Sequence, residues 1–281
     1  MLFDGVAYGS LLFLISIGLA VTMGLMNFVN LAHGAFAMFG GYLAATLMGR
    51  AGAPFLLALF AAFAGAALLG LVLEQMFYRR LYRASALDQV LFSIGLVFIS
   101  VASATYLFGS GQAPFALPPW LLGQWHLGAI DVGVYRLFLI AAVALVGASL
   151  WLLLEHTRLG SWVRAAVDHR DAAEGLGIPV AAVFTATFAI GSGLAGLGGA
   201  LGVDVLGLDP NFPLKYMVYF LLVVAVGGSG SLSGPLLAAL LLGIVDVAGK
   251  YYVPKLGAFV IYVLMVVLLL AFPGGLIRRK T

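Results

Sequence analysis

Cysteine is absent from the 281 residues, and charged side chains are scarce, at 9% of the chain. The first absence excludes disulfides and a thiolate metal site. The second, beside 63% hydrophobic residues, excludes an ordinary water-soluble globular domain. The start, Met1-Leu-Phe-Asp4, lacks the basic region of a cleavable signal peptide, so the first apolar run is expected to be a retained membrane helix. Gly228-Ser-Gly230-Ser-Leu-Ser-Gly234 lacks the Lys-Ser/Thr of a phosphate loop and the spacing of a dinucleotide fingerprint, which excludes nucleotide binding there. With no soluble domain to hydrolyse ATP, any energy the chain uses comes from an ion gradient or a partner. The net charge of +3 is too small to point to nucleic acid.

What fills the chain is apolar sequence. Runs at roughly 5–27, 32–48, 55–78, 89–108, 134–154, 182–203, 214–228, 233–249 and 257–273 are continuous rather than alternating, which argues for helices and against a barrel. A helix needs about 20 apolar residues to cross a bilayer. The fold class expected is therefore all-α: a polytopic bundle of about eight to nine spans in a single domain, 1–281. The seventh run is short and ends in Gly227-Gly-Ser-Gly230, marking it as the candidate for a broken or re-entrant helix. Basic residues then assign the sides. Arg79, Arg80 and Arg83, Arg158, Arg164 and Arg170, and Arg278, Arg279 and Lys280 share one face if the N-terminus is outside and the C-terminus cytoplasmic. Arg50, Arg136, Lys215, Lys250 and Lys255 are spread over the other. On that outer face, Gly109 to Gly133 carries Pro114, Pro118, Pro119, Trp120 and Trp125, the composition of an interfacial lid or an ordinary surface loop.

Three stretches carry chemistry. Asn27-Phe-Val-Asn30-Leu-Ala-His33-Gly34 places amides and an imidazole beside the first two runs, and on a helix Asn27, Asn30, His33 and Gly34 would share a face. Such groups in a bilayer face a cavity, a neighbouring helix or an unwound backbone. They either line a translocation path or glue a helix break. His33 has no partner at metal-ligand spacing, so neither metal nor cofactor is expected. The polar loop, about 155–179, holds Trp162, Arg164, Asp168, Arg170, Asp171 and Gly177. Its composition predicts one short helix ended by Gly175 or Gly177, with Trp162, Val163, Val167 and Leu176 as an exposed apolar stripe to which a soluble motor could couple. In the sixth run, Gly191, Ala195 and Gly199, Ser192, Gly196 and Ala200, and Gly198 and Gly202 repeat at four-residue spacing, which lets helix backbones approach closely. Carboxylates are few: Asp246 and Asp204 fall near outer ends, Glu74 near an inner end, and none at a span centre. An ion-coupled carrier would be expected to accept the cost of a central acid, about 2.5 kcal/mol or more.

Taken in order, Leu25-Met-Asn27-Phe-Val-Asn30-Leu-Ala-His33-Gly34, Arg164-Ala-Ala-Val-Asp168 through Gly177-Ile178, and Gly227-Gly-Ser-Gly-Ser-Leu-Ser-Gly234 resemble the markers of the branched-chain amino-acid type of bacterial ABC importer permease. The resemblance covers essentially the whole chain. It implies a bacterial inner-membrane permease that pairs with a second permease (another copy or a similar chain), two cytoplasmic ATPase subunits and a periplasmic solute-binding protein. It also implies that the loop with Arg164 and Asp168 couples to the ATPases, that Gly228, Gly230 and Gly234 form an inner-face turn, and that this chain performs no covalent chemistry. Leucine, isoleucine and valine are the implied solutes. Relatives that carry amides, urea, carboxylates or sugars, and an ion-coupled secondary transporter, are the alternatives.

Overall fold

The computed structural model describes residues 1–26, 28, 30–82, 84–127, 130–228, 232–272 and 275–276. Every apolar run is helical, with irregular turns where glycine, proline or polar residues interrupt it. The helices are α1 (Leu2–Met26), α2 (His33–Ala51), α3 (Phe55–Leu81), α4 (Ala86–Phe108) and α5 (Val134–His156), then α6 (Arg158–Asp168) and α7 (Arg170–Gly175) in the polar segment. They are followed by α8 (Val180–Leu206), α9 (Phe212–Gly227), α10 (Ser233–Tyr252) and α11 (Gly257–Ala271).

Six of these helices, α1, α3, α4, α5, α8 and α10, are long and apolar enough to cross a membrane unaided, fewer than the eight to nine expected. The shortfall has a physical cause. At about 1.5 Å per residue, the 16 residues of α9 and the 15 of α11 fall short of a hydrocarbon core about 30 Å thick. Helix α2 has 19 residues but spends them on glycine, His33 and Arg50.

Helix α8 is the axis of the bundle, and its small residues explain why. Any Cβ on Gly196 would strike Ala62 and Ala66 of α3, and any on Gly199 would strike the Ala37 carbonyl of α2. Gly191 meets Gly18 of α1 backbone to backbone, and Gly40 of α2 meets Gly196 in the same way. Lipid tails are as apolar as leucine, so close van der Waals fit is what holds such helices together. The same device joins α1 to α10, where Gly9 and Gly243 leave no room for a side chain. Helices α1, α2, α3 and α8 therefore form the tightly packed centre, and α4 stands apart at the rim with many apolar residues exposed.

The short α9 begins deep in the bundle. Gly41 of α2 packs against Leu208, while Gly34, two turns lower, packs against Pro213. The contacts of Leu208 and Pro213 are thus about 10 Å apart along α2. The seventh run, the candidate for a broken or re-entrant helix, is helical only from Phe212 to Gly227. Asp209 supports the entry to α9: its carboxylate accepts from the Asn211 amide at 2.9 Å and pairs with Lys215.

The segment between α4 and α5 contains structure that composition did not signal. Gln124–Leu127 (β1) and Ile130–Gly133 (β2) pair antiparallel after a short 3₁₀ turn at Pro119–Leu121. Trp120 lies edge-on to Phe55 and Phe138 and is half exposed, whereas Trp125 projects from the hairpin. The loop is tied down by the Ala113 amide, which donates to the Leu208 carbonyl at 2.7 Å.

Candidate functional site

Asn27 lies outside the described residues. Asn30, His33 and Gly34 are buried, and the first two find their partners within the protein. Asn30 Oδ1 accepts from the Tyr78 hydroxyl at 2.9 Å and from the Ala32 amide at 3.1 Å. His33 Nε2 lies 2.8 Å from the Ile15 carbonyl oxygen, halfway along α1. Gly34 sits where an added Cβ would be 3.0 Å from Pro213 Cα. Asn30 precedes the helix and His33 opens it, so the two point to different neighbours rather than along one helix face. Both side chains are almost wholly buried, with partners that bridge the break to α3 and α1. The geometry is that of a brace, and neither side chain is among those lining the cavity between α2, α3 and α4.

Tyr78 reaches Asn30 because α3 changes pitch. Residues Glu74–Tyr78 form a π-helical turn, a widening common at functional sites. The turn buries Glu74 completely, where its carboxylate accepts from the Tyr82 hydroxyl at 2.6 Å and the Thr185 hydroxyl at 2.7 Å. Asp246 is likewise buried, held by Lys250 Nζ at 2.5 Å, one turn along α10. The sequence suggested a shortage of buried charge; the fold buries Glu74, Asp209 and Asp246, each with a donor in place. Asp209 was missed altogether. The signal that could have found it is the Asp209-Pro-Asn211 entry to a helix.

The polar segment forms two helices, not one. His169 is extended (φ −149°, ψ 90°) and breaks the run between α6 and α7. Thr157 caps α6 by accepting from the Gly160 amide at 3.3 Å. Gly160 itself is pressed against the Leu154 carbonyl, where no Cβ fits, so α6 folds tightly back on the end of α5. Arg164 strengthens that fold by donating to the Leu154 carbonyl and lying 3.7 Å from the Glu155 carboxylate. Gly177 adopts a left-handed φ of 81°, and the amides of Gly177 and Ile178 close α7 on Glu174 and Ala173 at 3.0 Å each.

One face of α6 is therefore inward and the other outward. Gly160, Val163 and Ala166 are buried, with Val163 among residues of α1, α5 and α8 that include Gly18, Leu150, Leu154 and Gly191. Val163 is thus removed from the exposed stripe that its spacing suggested. Trp162, Asp168 and Asp171 face outward, and Leu176, at 82% exposure, ends α7 as an apolar tip. Arg170 is fixed between Glu174, at 3.2 Å, and the Phe184 ring, 5.2 Å from its guanidinium carbon. In the glycine-rich turn between α9 and α10, Gly228 ends α9 with φ 86° and Gly234 is buried at the start of α10; Gly230 lies outside the described residues.

Between α2, α3 and α4 lies a cavity of about 490 Å³, walled by apolar side chains such as Phe36, Leu73 and Ile99. Its polar groups are the hydroxyls of Tyr42, Thr46, Ser100 and Ser103. Tyr42 stacks on Phe108 with ring centroids 4.2 Å apart, and among the described residues its buried hydroxyl has no hydrogen-bond partner. No group of three or more potential metal ligands occurs among the described residues.

Comparison with known proteins covers nearly the whole chain. The family model described as "Branched-chain amino acid transport system / permease component" matches residues 1–269. The high-affinity branched-chain amino acid transport system permease protein LivH of Salmonella typhimurium is 28% identical, over 99% of this chain and 94% of the relative. BraD of Pseudomonas aeruginosa, a permease protein described in the same words, is 27% identical over 99% of this chain and 95% of its own. A probable branched-chain amino acid transport permease protein from Methanocaldococcus jannaschii is 26% identical over 98% and 91%.

Proposed function

Since the chain belongs to the family of permease components of branched-chain amino acid transport systems, we propose that it forms the membrane path for leucine, isoleucine and valine in an ATP-driven importer. A permease of this family is a multi-pass inner-membrane protein that works with ATPase and solute-binding partners, and transport permeases are not a class of enzyme. The finer reading is a pair of permeases, two ATPase subunits on the α6–α7 face and a binding protein on the outer loops. The N-terminus is then outside and the C-terminus cytoplasmic.

The observation that carries this reading is the seating of α6. Its buried side rests on α1, α5 and α8, while Trp162, Asp168 and Asp171 face away from the bundle. A force applied to the outer side of α6 passes directly into α1 and α8, whose glycine contacts leave no slack. The partner thus moves whole helices rather than a loop. The apolar α2–α3–α4 cavity supports an aliphatic solute, since its walls match branched hydrocarbon and its hydroxyls suit a polar group.

The test is uptake by the assembled transporter in proteoliposomes. Wild type is expected to take up leucine, isoleucine and valine only with ATP, and neither ribose nor urea. Asp168→Arg or Asp171→Arg is expected to abolish uptake while the membrane level is retained. Normal uptake in both variants would remove the coupling role, and uptake of ribose or urea in place of the amino acids would remove the solute assignment. Gradient-driven uptake by the chain alone, indifferent to ATP, would favour an ion-coupled carrier.

A further inference from the structure

A second, chemically different pocket lies where α3 ends and α7 approaches α8. It has a volume of about 240 Å³ and is lined by Arg79, Arg80, Tyr82, Arg170, Ala181 and Phe184. Arginines from two remote parts of the chain converge on it. Arg79 and Arg80 close α3, where a basic residue is favoured by the helix dipole, and neither pairs with a carboxylate among the described residues. Arg170 comes from α7, held over Phe184 and bonded to Glu174. Tyr82, edge-on to Phe184 at 5.5 Å, has its hydroxyl committed to Glu74.

Among the described residues, the lining charges and their carboxylate partners can be counted. Arg79, Arg80 and Arg170 supply three positive charges; Glu174 on Arg170 and buried Glu74 beneath Tyr82 supply at most two negative ones. One positive charge is left over, on guanidiniums whose planar forks suit phosphate oxygens. The turn of α3 that precedes the pocket presents an apolar, exposed surface. Met76 and Phe77, one turn deeper along α3, are large, apolar and exposed, as acyl chains beneath a headgroup would require. A free phosphate would have no use for that apolar approach.

We infer that this pocket binds the phosphodiester headgroup of an anionic phospholipid, with Arg79, Arg80 and Arg170 around the phosphate and the acyl chains along Met76 and Phe77. The bound lipid bridges the end of α3 to α7, and so fastens the polar segment to the membrane-embedded bundle. The site is separate from the solute cavity and does not depend on which solute is carried.

The full chain, delipidated in mild detergent, is to be titrated with phosphatidylglycerol, phosphatidylcholine or inorganic phosphate, with binding read by native mass spectrometry and stability by thermal unfolding. Phosphatidylglycerol is expected to bind and raise the melting temperature, and phosphatidylcholine and inorganic phosphate to do neither. Arg79→Gln/Arg80→Gln is expected to weaken phosphatidylglycerol binding by about 30-fold, since each basic residue near a charged surface contributes about fivefold. Arg158→Gln, which removes an exposed charge outside the pocket, is expected to leave binding unchanged. Equal binding of both lipids would overturn the proposal without recourse to any variant. So would equal stabilisation by inorganic phosphate, or unchanged affinity in the double variant.

Discussion

Asn30, a candidate for the solute path by its sequence, is held by the fold's own donors. Its side-chain oxygen serves two donors at once, and one of them, the Tyr78 hydroxyl, is fully buried. Asn30→Leu strands that hydroxyl, at a cost of about 1–3 kcal/mol. Folded yield and uptake are therefore expected to fall together, as measured by fluorescence-detected size exclusion and by transport in matched membranes. Tyr78→Phe removes the stranded group, so the double variant Asn30→Leu/Tyr78→Phe is expected to be more stable than Asn30→Leu alone. Loss of uptake at full yield in Asn30→Leu would instead place the residue on the solute path.

At the scale of the element, the decisive property is the absence of side chains at helix crossings. Gly40 and Gly196 press backbone on backbone, so Gly40→Val is expected to part α2 from α8 and abolish the folded protein. Gly95 of α4 has nothing within 4 Å of an added Cβ. Gly95→Ala is expected to be neutral or to stabilise the helix by up to about 1 kcal/mol. Thermal unfolding of the two purified variants checks both statements, and equal tolerance would contradict the packing described. Within the polar segment the same contrast holds between the two faces of α6. Val163→Asp buries a charge against α1, α5 and α8 and is expected to lower folded yield sharply, unlike the outward Asp168→Arg.

For the whole molecule, the lack of native cysteine makes orientation directly measurable. Leu176→Cys places one thiol on the exposed tip of α7, and Trp125→Cys places one on the outer hairpin. With a membrane-impermeant maleimide, intact spheroplasts are expected to label Trp125→Cys alone and inverted vesicles Leu176→Cys alone. The opposite result would reverse the topology and move the ATPases to the hairpin side. Tagged full chain purified in mild detergent is expected to carry ATPase subunits with it, detected by mass spectrometry; recovery of the chain alone would count against the assembly.

Composition by itself determined that this is a helical membrane protein, because continuous apolar runs bounded by glycine, proline and charge admit no other satisfied backbone in lipid. It also located the polar segment, the tight packing of the sixth run and the break before His33, since helix period and small-residue spacing are local properties. The tertiary structure alone decided which neighbours those features meet. Whether Asn30 meets solute or Tyr78 depends on a π-turn 44 or more positions away, and no local pattern announces where a helix will gain one residue per turn. The inward turn of Val163, the burial of Asp209 and the meeting of Arg79 with Arg170 are likewise set by which helices lie side by side. Adjacency across the bundle follows from the sum of many close contacts, and the linear order of residues does not display that sum.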